Sequence, residues 1–250
     1  MTATLVMTAT ITPPSSMPAV ARVDPQLRLL DYCAALDHYL NLPDSSVRRI
    51  ILLENSGADP QPLLERARIY RSGKSLEVIS TNPDYPTNLG KGYGEFLMLD
   101  EGLREAHARQ AIDRFWKVTG RLKVLNFQQL VSCAPANYDV YCDLRDVPLI
   151  GHRFGGNQWM DLRLFSCSMA GYDHYFRGKY ASGSVLEQAF FVPLKRQWSE
   201  RPTQIIPRFR VQPDLAGISG FSNASYQNTS YRLKTGLRRV CRSALPFLWL

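Results

Sequence analysis

With 250 residues, 45% of them hydrophobic and 21% charged, the chain can bury a core for one large folded domain and is too apolar for a disordered segment. A formal charge of +8 and a pI near 9.4 suit phosphorylated substrates or an anionic membrane surface. No Lys/Arg block alternates with stacking aromatics, which argues against a nucleic-acid platform.

The five cysteines (Cys33, Cys133, Cys142, Cys167 and Cys241) are scattered without a C-x-x-C pair. A disulfide framework or zinc site is therefore not expected, and a reducing compartment is. The four histidines show no metal-ligand spacing, and no G-x-S-x-G elbow is present. The N-terminus lacks the basic region of a signal peptide, and no apolar run approaches the roughly 20 residues of a membrane span. A cytoplasmic location is the expectation.

Residues 4–11 form a continuous apolar and β-branched run, which suits a central strand of a parallel sheet covered on both faces. Asp24 and Pro25 supply an N-cap and a first-turn proline, and Leu27, Leu30, Leu36 and Leu40 lie on a helical face ending near Asn41. Residues 47–53 read as a second strand, ended by Glu54 and Asn55. Asp59-Pro60 opens a helix running to about Tyr70, and residues 76–80 form a third strand. Strand-helix alternation of this kind predicts an α/β fold with a mostly parallel, Rossmann-like sheet flanked by helices in a single domain.

A Gly-rich loop at residues 88–94 leads into a helix over 96–109, followed by a strand over 115–118. Further on, the pattern predicts a helix over 126–132 and strands over 138–142 and 159–166. A helical segment over 185–192 is expected to end or kink at Pro193. Residues 204–207 read as an edge strand, 215–226 as a loop, and 231–250 as a basic helix with an apolar end.

Two segments carry the chemistry. In Asn88-Leu89-Gly90-Lys91-Gly92, the glycines would let backbone N–H groups approach an anion at the start of a helix. The strand end Phe115-Trp116-Lys117-Val118-Thr119-Gly120-Arg121 delivers two cations to the edge where open α/β sheets bind ligands. Lys117 and Arg121 lie four apart, so both are expected on one side of the strand. In order and character, these segments resemble the small bacterial and viral sugar transferases of GT-A type, over roughly residues 4–226.

The resemblance implies a GT-A fold and transfer of a hexosyl unit from a nucleotide-sugar donor to a glycan or lipid-linked acceptor, in surface polysaccharide or lipopolysaccharide synthesis. It places Thr8, Ala9 and Thr10 under the nucleotide, with Glu54 and Asn55 in the same crevice. Asn88, Gly90, Lys91, Gly92, Lys117, Gly120 and Arg121 complete the implied donor site. Many such enzymes hold a divalent metal on an Asp-x-Asp motif, but here Thr119-Gly120-Arg121 stands in its place. No cofactor is favoured, since Lys117 and Arg121 would carry the diphosphate charge. If Mn²⁺ or Mg²⁺ is used, Asp143 and Asp146 are the candidate ligands. An inverting transferase needs a carboxylate base for the acceptor hydroxyl; Glu187 matches the implied position, with Asp161 and Asp173 as rivals.

The expected organisation is a transferase domain over residues 1–230 and a basic, apolar tail over 231–250. Arg232, Lys234, Arg238, Arg239 and Arg242 precede Leu245, Phe247 and Trp249, a composition suited to peripheral docking on an anionic membrane face. Two alternatives stand beside this reading: a non-catalytic nucleotide- or polyanion-binding module, and a sugar nucleotidyltransferase.

Overall fold

The computed structural model describes residues 3–70, 73–147, 157–180, 185–245 and 249. A seven-stranded sheet in the order β10-β6-β9-β4-β1-β2-β3 runs through the molecule. Its central parallel block is β1 (Ala3–Ala9), β2 (Val47–Glu54), β3 (Ser75–Ser80) and β4 (Arg114–Thr119). Strand β9 (Leu164–Ser168) is antiparallel to β4 and to β6 (Val140–Tyr141), and β10 (Ile205–Ile206) closes the far edge parallel to β6. Two small antiparallel pairs stand outside it: β5 (Lys123–Val124) with β11 (Leu215–Ala216), and β7 (Leu144–Arg145) with β8 (Trp159–Met160).

The period of two along β1 divides the core. Leu5 and Met7 pack on one face with Tyr39 of α1 (Pro25–Leu40), Leu63 of α2 (Gln61–Tyr70) and Phe127 of α4 (Phe127–Ser132). Val6 packs on the other with Phe96 and Leu99 of α3 (Gly90–Arg109), Tyr172 of α5 (Met169–Tyr175) and Phe190 of α6 (Leu186–Glu200). Both faces of the sheet are covered, so the continuous apolar run needs no polar alternation. Asp24 caps α1 as expected, accepting from the N–H groups of Gln26 and Leu27.

The connectivity creates the crevice. From β1 the chain builds outward through β2 to β3, then α3 carries it back across to β4 on the other side of β1. The strand order reverses between β1 and β4, and the connections that follow their C-terminal ends run to opposite sides of that point. Thr8 pairs with Thr119 there, and Gly120 donates its N–H to the carbonyl of Thr8 at 2.9 Å. A Cβ on Gly120 would lie 2.6 Å from that carbonyl oxygen, so this close approach requires glycine.

Several expectations are corrected. The expected loop at residues 90–94 is the first turn of α3, preceded by a 3₁₀ turn at Thr87–Leu89. Gly90 bends the chain into it with φ of 85°. Helix α6 does not stop at Pro193 but runs on to Glu200, held by the buried Phe190, Phe191 and Leu194 despite the lost N–H. The strand expected over 159–166 is two strands, because the Asp161 carboxylate turns back onto the N–H of Arg163 and breaks the run between β8 and β9.

The segment after residue 230 is not a free tail. Helix α7 (Thr229–Ala244) is clamped by Arg242, whose guanidinium donates to both oxygens of the buried Asp143 carboxylate at 2.9 and 2.8 Å. Trp249 packs edge-on against Trp198, and its carbonyl accepts from the N–H of Asp146. Phe247 lies outside the described residues. No helix among the described residues is long and apolar enough to cross a membrane.

Candidate active site

The crevice is built from three directions. β1 and β4 bring Thr8 and Thr119, the first turn of α3 brings Lys91 and Glu95, and the first turn of α6 brings Glu187. The two helix starts are in contact: a Cβ on Gly92 would meet the Leu186 side chain at 3.1 Å. Gly94 lets the same turn close over Tyr85, whose hydroxyl would sit 1.8 Å from an added Cβ.

At the centre, Glu95 accepts from the Thr8 hydroxyl at 2.6 Å and pairs with Lys117 at 2.7 Å. Burial alone would raise its pKa, but Lys117, Thr8 and Lys91 together hold the carboxyl below its ordinary value. Its side chain keeps 26% of its surface, so a ligand can reach it. Glu95 escaped the sequence reading although it directly follows the glycine-rich segment 88–94; the signal was its position one turn into a helix that opens on an expected anion site.

Lys117 is corrected as a phosphate contact. It is fully buried, bound to Glu95, to the Leu162 carbonyl at 2.7 Å and to the Thr119 hydroxyl at 3.3 Å. It also does not share a side with Arg121, which lies past the end of β4. Arg121 instead stands over the Tyr32 ring, 6.0 Å from its centroid, and donates to the Ile218 carbonyl at 3.2 Å. The Arg121 Nε is buried without a hydrogen-bond partner, and no carboxylate among the described residues pairs with its guanidinium. Lys91 has no acid in contact either; it lies 5.0 Å from the Phe221 ring. Burial lowers its pKa, Glu95 and Glu187 oppose this, and Arg121 adds to the depression, so all four charges share one field.

Glu187 is half-buried in the first turn of α6. Burial raises its pKa, its own backbone N–H opposes this, and nearby Glu95 and Asp161 push it further up. No cation among the described residues pairs with it. A carboxylate so placed holds a proton at a higher pH than an ordinary one, as a base for an acceptor hydroxyl requires.

The rivals are held by arginines. Asp161 is clamped by Arg145 at 2.6 Å and by Arg163, which hold it ionised far below the usual carboxylate range against its burial. Asp173 is exposed on α5 and pairs with Arg177 one turn on. Neither is available as a base facing the crevice.

The remaining residues shape the walls. Thr10 is fixed by hydrogen bonds to Tyr32, Arg28 and the Asn55 carboxamide oxygen, the last at 2.6 Å. Ala9 accepts the Asn55 N–H. Glu54 is corrected as a ligand contact: it is fully buried and its carboxylate is taken up by the N–H groups of Ile11, Ser56 and Ala58. Asn88 is exposed in the 3₁₀ turn.

The metal that the resemblance implies does not fit the residues present. At the crevice the two carboxylates Glu95 and Glu187 stand with Lys117, Lys91 and Arg121, and Glu95 is already paired with Lys117, a field that opposes a divalent ion. Asp143 is taken by Arg242 and Asp146 by Lys195 and the Trp249 strand contact, so the two do not converge. Among the described residues no group of three or more His, Cys, Asp or Glu could hold a metal ion.

No family model and no curated protein matches the sequence. Among solved structures, the chain superposes on the inositol-1-phosphate CTP transferase from T. maritima with a TM-score of 0.50 at 12% identity, covering 94% of this chain and 95% of that one. It superposes equally, with a TM-score of 0.50 at 8% identity and the same 94% and 95% coverage, on the galactosyltransferase LgtC in complex with donor and acceptor sugar analogs. The chain has a GT-A-like fold. In this GT-A-like sheet the crevice between β1 and β4 is where Thr8, Glu95, Lys91 and Arg121 meet, and Glu187 faces it from α6.

Proposed function

We propose that the protein is a glycosyltransferase that moves a sugar from a nucleotide-sugar donor to a glycan or lipid-linked acceptor, with inversion. One observation carries this reading: Glu187, raised in pKa, faces Lys91 and Arg121 across one crevice, and none of the three is in an ion pair among the described residues. Lys91 and Arg121 hold the donor diphosphate, and the buried Nε of Arg121 finds there the partner it lacks. The acceptor oxygen forms a bond to the anomeric carbon as the bond from that carbon to the diphosphate oxygen breaks. The acceptor proton passes to Glu187, and the leaving diphosphate keeps the electron pair and the cations. Glu95 orients Thr8 and holds Lys117 in the floor.

We further propose that helix α7 docks on an anionic membrane. Its polar side, with Thr235, Arg238 and Arg242, faces the protein, while Leu233, Leu237 and Val240 at helical spacing are 71%, 43% and 63% exposed. Arg232 and Lys234 flank that stripe.

The test is a screen of nucleotide sugars, reading donor hydrolysis without acceptor and diphosphate binding by calorimetry with and without EDTA. Slow hydrolysis of one donor, and binding that survives chelation, are the expected results. Binding without any cleavage would leave a nucleotide-binding module. A second reading, sugar nucleotidyl transfer, is favoured by the equal superposition on a CTP transferase; release of pyrophosphate from a nucleoside triphosphate and a sugar phosphate would establish it.

A further inference from the structure

A well-formed cavity lies away from the crevice. It holds about 430 Å³ between α7 and the β5–β11 pair. Gly236 opens it, since an added Cβ there would meet nothing within 4 Å. Two cations line it from one side of α7, Arg232 and Arg239, and neither has an acid in contact. Asp214 lines the opposite wall, without a cation in contact. Thr235, 6% exposed, contributes to the wall, with its hydroxyl oxygen buried and without a hydrogen-bond partner among the described residues. Tyr226 and Tyr231 form an edge-on pair at its rim, 5.0 Å between ring centroids.

We propose that this cavity is a saccharide subsite that takes one carboxylate-bearing sugar unit of the acceptor glycan. The word acceptor rests on the transferase reading; the binding of an acidic sugar does not. Ring faces of a pyranose suit the tyrosines, and its hydroxyls suit the Asp214 carboxylate, which accepts from adjacent O–H groups. The charges decide the anion. Two arginines and one aspartate leave a net single positive charge, which matches one carboxylate. A diphosphate would bring more negative charge against Asp214 than the arginines balance. The size fits a site for a small ligand, which spans about 300–1,000 Å³.

The cavity is joined to the crevice by one loop. Ile218 of that loop accepts the Arg121 guanidinium, its neighbour Gly217 accepts the Tyr226 N–H, and Tyr226 lines the cavity. Occupancy of the cavity can therefore be felt at Arg121 through this loop.

The experiment is calorimetry on the full chain with a glucuronosyl-glucose disaccharide, its neutral parent cellobiose, and uridine diphosphate. The acidic disaccharide should bind at least about 10-fold more tightly than cellobiose, the worth of one charge-assisted contact. Arg239→Gln and Arg232→Gln should each weaken the acidic sugar by about 10-fold and leave uridine diphosphate unchanged. Asp214→Ala should weaken both sugars alike. An unchanged thermal midpoint shows that each variant is folded. Equal binding of the acidic and neutral sugars, no binding of either, or indifference to Arg239→Gln overturns the proposal. So does uridine diphosphate that competes with the sugar and is lost in Arg239→Gln. Failure of the transferase reading looks different: the acidic sugar binds and depends on Arg239, yet no donor is cleaved and Arg121→Ala does not alter nucleotide binding.

Discussion

At the residue scale, Arg121 and Glu187 divide the work, and their variants should fail differently. Losing a charge-assisted hydrogen bond costs about 1.5–3 kcal/mol, so Arg121→Ala should weaken diphosphate binding by about 10- to 150-fold in calorimetry. Glu187→Gln should bind donor normally while transfer falls by about 10²–10⁴ in a coupled assay. The Glu187 pKa is raised, so in the wild type transfer should fall on acidification at a higher pH than an ordinary carboxylate would give. The same shift has a stability sign. The protonated carboxyl favours the fold below the ordinary carboxylate range, and that contribution disappears as pH rises through the raised value. At neutral pH the uncharged Glu187→Gln variant should therefore melt above the wild type, while at acidic pH the two should converge. A variant that loses both activity and stability at neutral pH would make Glu187 a structural residue.

At the scale of elements, sequence pattern and structure agree where one physical signal dominates. Strands β1 to β3 were legible from apolar runs and α1 from its Asp24 cap, because burial on both faces and a capped first turn leave few alternatives. The start of α3 was not, because Gly90, Lys91 and Gly92 read as a loop by propensity. They stay helical through packing of Tyr85 and Leu186 on the glycines, contacts invisible in a linear reading. The crevice was legible as a place, but not the partners. Lys117 looked like a ligand cation until Glu95 and the Leu162 carbonyl claimed it. The Asp161 cluster was missed in the same way. Its loss is a prediction at this scale: Asp161→Asn leaves Arg145 and Arg163 without their carboxylate and should destabilise the protein by about 3–5 kcal/mol in denaturant unfolding. Because that carboxyl is held ionised below its ordinary value, its contribution is present at neutral pH and lost as pH falls through its depressed pKa.

For the whole molecule, α7 is an amphipathic helix mounted with its polar side inward. The Arg242–Asp143 pair and the buried Thr235 and Arg238 fix its rotation, so the Leu233–Leu237–Val240 stripe cannot turn to the core. Replacing the three by Gln should abolish sedimentation with anionic vesicles and leave the melting temperature near that of the wild type. Each basic residue near such a surface is worth about 1 kcal/mol, so salt should weaken the wild-type association as well. Sedimentation that is indifferent to both changes would assign the stripe to another partner.

Asp100 of α3 sits between two phenols, accepting from Tyr172 at 2.7 Å and Tyr180 at 2.8 Å, with the Gly178 N–H at 3.0 Å on the same carboxylate. Burial first, and Asp100 next, push both hydroxyls above the ordinary tyrosine value. The knot thus carries an optical signature at the alkaline limit. These two rings keep their protons in the native protein at pH values where free tyrosine has become phenolate. Their ionisation is then locked to unfolding, and stability drains away as pH climbs past the free value of about 10. In an alkaline absorbance titration, surface tyrosines should change gradually and reversibly. The pair held by Asp100 should change in one late step, together with the loss of helical circular dichroism.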